Sequence, residues 1–359
     1  MQQTDIQSIN PIQPEAAYIA HAANLLRQGK LVAFPTETVY GLGADALNTA
    51  AVQQIFVAKG RPLSDPLIVH IADESSLEQL VTHIPPAARQ LAQVFWPGPL
   101  TLILPADPRV PSIVTAGLAN VAIRMPRHPV ALALIRASGS AIAAPSANRF
   151  MHVSPTTAQH VYADLNGRIP LILDGGPCSV GVESTVLDLC SQPPTILRPG
   201  GISLEALRTI LPEIQRSPSQ QTSRAQHTTH HSAEAMQSPG QMLIHYAPIV
   251  PAFLFEGTTE AMLTAMLHEI QQRQAQHQQV GLLIADEDLT TFQDSGAHIY
   301  TLGSLQAPEQ IAARLYAGLR TLEGANVQVI LCRSFEEHGL GLAIRDRLLK
   351  ATGGKVIQL

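Results

Sequence analysis

Residues 213–240, EIQRSPSQQTSRAQHTTHHSAEAMQSPG, carry almost no large apolar side chains. Gln, Ser, Thr and His dominate, and such a segment buries too little apolar surface to offset the entropy of ordering it. It divides the 359-residue chain into two stretches, and each must close a hydrophobic core of its own. The expected organisation is a first domain over 14–212, a flexible linker over 213–248 and a second domain over 249–359. The linker ends in QMLIHYAP, which is apolar again and expected to be ordered.

The formal net charge is −5, which argues against a bulk nucleic-acid binder, although local basic patches remain open. The three cysteines, Cys178, Cys190 and Cys332, show no CxxC pairing. That favours a reducing compartment without a disulfide frame. The start, MQQTDIQSIN, has neither a basic cluster nor an apolar run, so no signal peptide is expected. No stretch reaches the roughly 20 apolar residues of a membrane span. The expectation is a cytoplasmic protein with no membrane partner.

Within the first domain, residues 1–13 read as a poorly ordered tail and 14–29 as a helix stopped by Gly29. An apolar strand at Leu31–Phe34 runs into Pro-Thr-Glu-Thr and a Gly41-Leu42-Gly43 turn. A helix then delivers Lys59 and Arg61, Pro62 ends it, and Leu67–His70 is a second strand. Further strands at 100–104, 121–124, 141–144, 171–174, 185–189 and 195–198 follow one another with few helices between them. That order predicts a partly antiparallel α/β sheet. The second domain alternates strand and helix regularly, the pattern of a small doubly wound fold.

Several groups of residues qualify for chemistry. Lys59 and Arg61 beside a glycine-rich turn make a cradle for a phosphorylated substrate; a solvated cation pair at a helix C-terminus accounts for them equally. Arg124 ends VAIR and Arg198 ends TILR, at strand edges where α/β sheets bind ligands, or where surface salt bridges form. Ser146 and Asn148, two residues apart after a strand, either face one ligand or cap a turn. Ser184 either bonds a ligand or satisfies backbone in a turn, and His70, which ends its strand, is either a catalyst or a satisfied core or edge residue. His227, His230 and His231 lie in low-complexity sequence without a carboxylate or cysteine frame, so no metal site is expected. Gly339-Leu340-Gly341 is a partial dinucleotide fingerprint with Ile344 at the third glycine position. No Walker A motif or Gly-x-Ser-x-Gly elbow is present.

Taken in order, PTETVYGLG (35–43), KGRP (59–62), FWPGPLTLIL (95–104), VAIRMPRHP (121–129), APSANRF (144–150), GVESTVLDL (181–189) and ILRPGGIS (196–203) strongly resemble the Sua5/YciO/YrdC family. SPG…HYAP (238–248) and GLGLAIRDRLLKA (339–351) resemble its two-domain Sua5 branch. The resemblance implies a YrdC-like twisted mixed sheet with flanking helices and a smaller Rossmann-like C-terminal domain. It implies synthesis of threonylcarbamoyl-AMP and pyrophosphate from L-threonine, bicarbonate and ATP. Mg²⁺ would accompany the ATP, and no prosthetic group would be needed. The product would feed t6A modification of tRNA through a downstream threonylcarbamoyl-transfer machinery.

By the same resemblance Lys59, Arg61, Ser146 and Asn148 surround the phosphates. Thr38, His70, Arg124, Ala144 and Ser184 match threonine positions. Asp65, Asn120, Ser154 and Arg198 match nucleotide positions, with His245 and Tyr246 on the linker side. Asn120 and Asp65 stand where the family often shows threonine and asparagine, and Gln241-Met242-Leu243 replaces a segment that usually carries lysine. The linker is expected to act as a lid, with His245 and Tyr246 packing over the cleft. The alternative from another class is a non-catalytic factor that binds tRNA or double-stranded RNA.

Overall fold

The computed structural model describes residues 3–217 and 246–359. The chain divides into two compact units. Unit 1 holds residues 1–149, 156–178 and 183–241; unit 2 holds 150–155, 179–182 and 242–359.

Unit 1 is built on an eleven-stranded mixed sheet. Its strands are β1 (Asp5–Ser8), β2 (Val32–Phe34), β3 (Gly41–Asp45), β4 (Ile68–His70), β5 (Leu100–Pro105), β6 (Asn120–Arg124), β7 (Ile142–Ala143), β8 (Leu171–Asp174), β9 (Thr185–Asp188), β10 (Thr195–Arg198) and β11 (Gln215–Arg216). They lie in the order β1-β8-β2-β3-β7-β4-β6-β5-β9-β10-β11.

Three local expectations are corrected. Residues 5–8 are not a loose tail: β1 pairs in parallel with β8, Asp5 opposite Leu171. Gly41-Leu42-Gly43 is not a turn but part of β3, antiparallel to β2. A Cβ on Gly43 would sit 2.8 Å from the Phe34 ring and 2.9 Å from Ile142, so glycine serves close packing there. The sheet also continues past residue 212, since β11 pairs with β10.

Strand alternation sorts the side chains onto two faces. One face carries Ala33, Leu42, Val69, Ile123, Leu102 and Leu187 into the main core, with Val52, Ile55 and Phe56 of the helix Thr49–Lys59 and Leu91 of the helix Pro86–Phe95. The other face is divided. Over β2, β7 and β8 it is covered by the helices Ala16–Arg27 and Pro129–Ser138, packed on Val32, Phe34, Ile142 and Leu173. Over β4, β6, β5, β9 and β10 it carries only a small apolar patch, Ile68, Ala122, Ile103, Val186 and Leu197. The polar side chains of the first domain gather around that patch.

Unit 2 contains an all-parallel sheet of β12 (Ala252–Glu256), β13 (Val280–Ile284), β14 (His298–Thr301), β15 (Val329–Arg333) and β16 (Val356–Gln358), ordered β14-β13-β15-β12-β16. The helices Thr259–Ala275, Pro308–Gly324 and Gly341–Ala351 connect them. Among the described residues no helix is long and apolar enough to cross a membrane. Cys178 and Cys332 are buried, Cys190 is exposed, and all three are free thiols.

Candidate active site

Register places the first group of residues. His70 pairs with Arg124, Arg124 with Thr101, Thr101 with Val186, and Val186 with Arg198. Directly opposed residues share a face, so His70, Arg124, Thr101 and Arg198 form one row across five strands, above the apolar patch. A register shift between Ile196 and Arg198 turns the arginine onto that face.

Hydrogen bonds tie the row together. Arg124 donates to the Thr38 hydroxyl at 2.9 Å and the Gly98 carbonyl at 3.3 Å, and lies 2.7 Å from Glu37 Oε2. The Thr36 and Thr38 hydroxyls are 2.9 Å apart, which fixes the Pro-Thr-Glu-Thr turn. Ser184 bonds the Thr101 hydroxyl at 2.7 Å and accepts from Arg198 Nη2 at 3.2 Å, while Arg198 also donates to the Ser184 carbonyl.

The second group lies at the end of the helix Thr49–Lys59. Gly60 in the left-handed conformation ends the helix. Lys59 Nζ donates to the carbonyls of Ser146 and Asn148, both at 2.6 Å, and to Asn148 Oδ1 at 3.3 Å. Ser146 itself bridges to Gly41, so the Ser-Ala-Asn turn is pinned to β3 on one side and to Lys59 on the other. Arg61 lies 2.8 Å from Asp65 Oδ1 and donates to the carbonyls of Asp65 and Pro66. Arg61, Lys59 and Arg198 all favour the charged form of Asp65. Lys59, Arg61, Arg124 and Arg198 are each less than one tenth exposed.

Burial governs the electrostatics. Desolvation, with Arg61 as a like-charged neighbour, pushes Lys59 well below the usual ammonium range. Desolvation raises Asp65 against the pull of its three cations. Burial and then Arg124 lower His70 to about 3, so it is neutral at physiological pH. Its Nδ1 meets the Ile68 carbonyl at 3.2 Å, and its ring stands edge-on to Phe34. The oxygens of Glu37 and Asp65 are buried yet accept no hydrogen bond of good geometry from the described residues.

The structure therefore places Thr38, His70, Arg124, Ser184 and Arg198 in one group and Lys59, Arg61, Asp65, Ser146 and Asn148 in a second. Ala144 is buried beside Phe34, its amide bonded to Ile68. Asn120 begins β6, the strand that Arg124 ends, about 13 Å away at 3.3 Å per residue. Ser154 is buried but belongs to unit 2. Tyr246, also in unit 2, is committed there: its ring centroid lies 5.6 Å from that of Tyr316 and 5.3 Å from the Arg347 guanidinium. His245 and the trio His227, His230 and His231 lie outside the described residues.

Sequence reasoning missed Glu37 and Thr101. Glu37 lies inside a recognised motif, and its charge between two threonines was the available signal. Thr101 gave none, because its role follows from register alone.

Four buried cations and two buried carboxylates in unit 1, two of the cations in a row on one face of a mixed sheet, define an α/β protein that concentrates positive charge in its interior, as recognition of an anionic ligand requires. Residues 24–200 match the Sua5_yciO_yrdC family model, described as Telomere recombination. Residues 202–353 match Sua5_C, described as Threonylcarbamoyl-AMP synthase, C-terminal domain. The chain belongs to the Sua5/YciO/YrdC family.

A threonylcarbamoyl-AMP synthase of Bacillus subtilis is 48% identical over 343 residues, spanning 95% of this chain and 94% of that one. One from Pyrococcus abyssi is 44% identical over 94% of this chain and 95% of its own. The crystal structure of P. abyssi Sua5 complexed with L-threonine superposes with a TM-score of 0.91 at 43% identity, covering 99% of this chain and 100% of that one.

Proposed function

We propose that this chain makes threonylcarbamoyl-AMP and pyrophosphate from L-threonine, bicarbonate and ATP, acting as a nucleotidyltransferase in tRNA t6A modification. One observation supports the reading: Lys59, Arg61, Arg124 and Arg198, in an acidic chain, are all buried in unit 1, Arg124 and Arg198 in one row on one sheet face, and Lys59 and Arg61 at and just past the end of one helix. Three mutually repelling reactants need such a concentration of positive charge to meet.

Arg124, its fork aimed by Glu37 and Thr38, holds the threonine carboxylate; Ser184, neutral His70 and Ala144 complete that pocket. Lys59, Arg61, Ser146 and Asn148 take the phosphates, and Asp65, Asn120 and Arg198 serve the nucleotide. The threonine amine attacks the bicarbonate carbon and water leaves, giving a carbamate. A carbamate oxygen then attacks the α-phosphorus and displaces pyrophosphate. The protein contributes alignment and charge neutralisation.

Among the described residues no group of three or more His, Cys, Asp and Glu side chains is placed to hold a metal. Asp65, beside Lys59 and Arg61, offers one carboxylate with an uncommitted oxygen. That donor set fits Mg²⁺ carried by the triphosphate, because Mg²⁺ commonly takes one or two carboxylates plus substrate phosphates. When bound it would neutralise phosphate charge.

A carbamate decarboxylates in water, so the site must exclude water; most of the lid expected of the linker, His245 included, falls outside the described residues. The reaction takes place in the cytoplasm, and the product passes to the transfer machinery that modifies tRNA.

The test is pyrophosphate release by the full chain with ATP, bicarbonate and threonine, omitting each in turn. Release should require all three. Release without threonine or bicarbonate, or none with all three present, would overturn the reading. Salt-dependent tRNA binding without ATP consumption would favour an RNA-binding factor instead.

A further inference from the structure

The second domain holds a cavity that the proposed reaction does not use. It has a volume of about 610 Å³ and lies where β12 and β15 end. In open α/β sheets, ligands bind outside the strand C-termini at the point where connections from adjacent strands depart in opposite directions. β12 and β15 are such a pair. β12 leads through the helix Thr259–Ala275 to β13, on the far side of β15, whereas β15 leads through the helix Gly341–Ala351 to β16, on the far side of β12. The volume falls within the roughly 300–1,000 Å³ of small-molecule sites.

Three long helices begin at this cavity, at Thr259, Pro308 and Gly341, and all three residues line it. The helices starting at Pro308 and Gly341 have no side-chain cap; Pro308 carries no N–H and the Gly341 amide donates to the His338 carbonyl, so it is the amides after these two that no cap satisfies. The Gly339-Leu340-Gly341 motif acquires a role here. Gly339 is left-handed, and a Cβ on Gly341 would lie 1.9 Å from the Glu336 carbonyl, so the loop needs both glycines to open the helix where it does.

A second, independent feature points to an anion. Arg333 is 4% exposed and lines the cavity. Its Nη1 is held by both Asp288 oxygens at 2.7 and 2.8 Å, and its Nε donates to the Ser334 carbonyl at 3.2 Å. Its Nη2 has no hydrogen-bond partner among the described residues. Asp288 thus fixes the guanidinium without using the outer nitrogen. Met262, Ile311 and Ile344, all buried, form an apolar wall of the same cavity. Ile344 occupies the place of the third glycine in a dinucleotide fingerprint, where glycine serves close helix–strand packing, and here puts an apolar side chain on the cavity wall instead.

From this geometry we infer that the second domain binds one phosphorylated small molecule of mononucleotide size, its phosphate at Arg333 Nη2 and the helix starts, its apolar ring system against Met262, Ile311 and Ile344. This site is distinct from the catalytic basin and does not rest on the proposed reaction.

The test is equilibrium dialysis of the full-length chain with labelled AMP, ADP, adenosine and inorganic phosphate. The Lys59→Ala/Arg61→Ala variant removes the first-domain phosphate contacts. AMP or ADP should still bind to that variant at one site per chain, at least tenfold more tightly than adenosine or phosphate alone. Thr259→Trp, an exposed change at the cavity mouth, and Arg333→Lys, which keeps the charge opposite Asp288 but deletes Nη2, should each weaken that binding at least tenfold. Absence of AMP and ADP binding to the Lys59→Ala/Arg61→Ala chain overturns the inference. So does binding that Thr259→Trp leaves unchanged, or adenosine or phosphate binding as tightly as the nucleotides.

Discussion

Replacing Arg124 with Met separates two effects that one residue combines. Glu37 is 2% exposed, its oxygens accept no hydrogen bond of good geometry from the described residues, and Arg124 at 2.7 Å is its counter-ion. Removing one partner of such a buried pair costs about 3–5 kcal/mol, because the other charge is left uncompensated. Adding Glu37→Gln removes that charge and leaves a buried amide, whose unmade hydrogen bonds cost about 1–3 kcal/mol. The double variant should therefore recover about 2 kcal/mol relative to Arg124→Met. Activity should not recover with it. Loss of two charge-assisted bonds to the threonine carboxylate, each about 1.5–3 kcal/mol, lowers kcat/KM for threonine by at least roughly a hundredfold in both variants. The chain has one tryptophan, Trp96, buried in unit 1 and bonded to the Leu100 carbonyl at 2.7 Å. Its fluorescence in a urea titration reports the unfolding of that unit, and pyrophosphate release reports turnover. If Glu37→Gln brings no recovery of the urea midpoint, the desolvation argument is wrong. If it restores threonine-dependent release, Arg124 does not hold the carboxylate.

Further outcomes follow from the same geometry. Lys59→Ala and Arg61→Ala should each reduce pyrophosphate release by roughly a hundredfold or more, as loss of a preorganised charge contact at a transferring phosphoryl group does; unchanged turnover in both removes them from the phosphate site. His70 has a folded-state value of about 3 against 6.5 unfolded, so its burial stabilises fully above pH 6.5. As pH falls from 6.5 towards 3 the unfolded chain alone takes up the proton, and stability drops by about 1.4 kcal/mol per pH unit. His70→Gln should flatten that part of the pH–stability curve, and an unchanged slope would show that His70 is not buried neutral. Gly43→Ala pushes a methyl against Phe34 and Ile142 and should cost about 1–3 kcal/mol in a urea titration, with an unchanged midpoint counting against the close packing of β2 and β3.

Much of this was legible from the chain itself. The apolar strands and helix stops are local events: Asn48 caps the helix that delivers Lys59, and Gly60 ends it. The family motifs supplied the residues around the basin, including pairs as far apart as Lys59 and Asn148. The misreadings had local causes too. Gly41-Leu42-Gly43 carries turn residues, yet strand pairing and the nearby Phe34 ring overrode that preference. Asp5–Ser8 has too few apolar residues to announce a strand, and it forms one because the β8 edge accepts it. The packing of Tyr246 against Tyr316 and Arg347 depends on residues far along the chain, so its own motif did not announce it.

The sequence by itself determined where apolar segments start and stop, that the chain must close two cores, and which side chains have the chemistry to hold phosphate and carboxylate. Each of these depends on near neighbours along the chain. Only the tertiary structure decided that His70, Arg124, Thr101 and Arg198 share a row, that two helices cover half of a sheet face and leave the other half to the site, and that Glu37 stands behind Arg124. Those facts depend on register and strand order, and a shift of one residue in β6 or β10 would turn Arg124 or Arg198 to the opposite face.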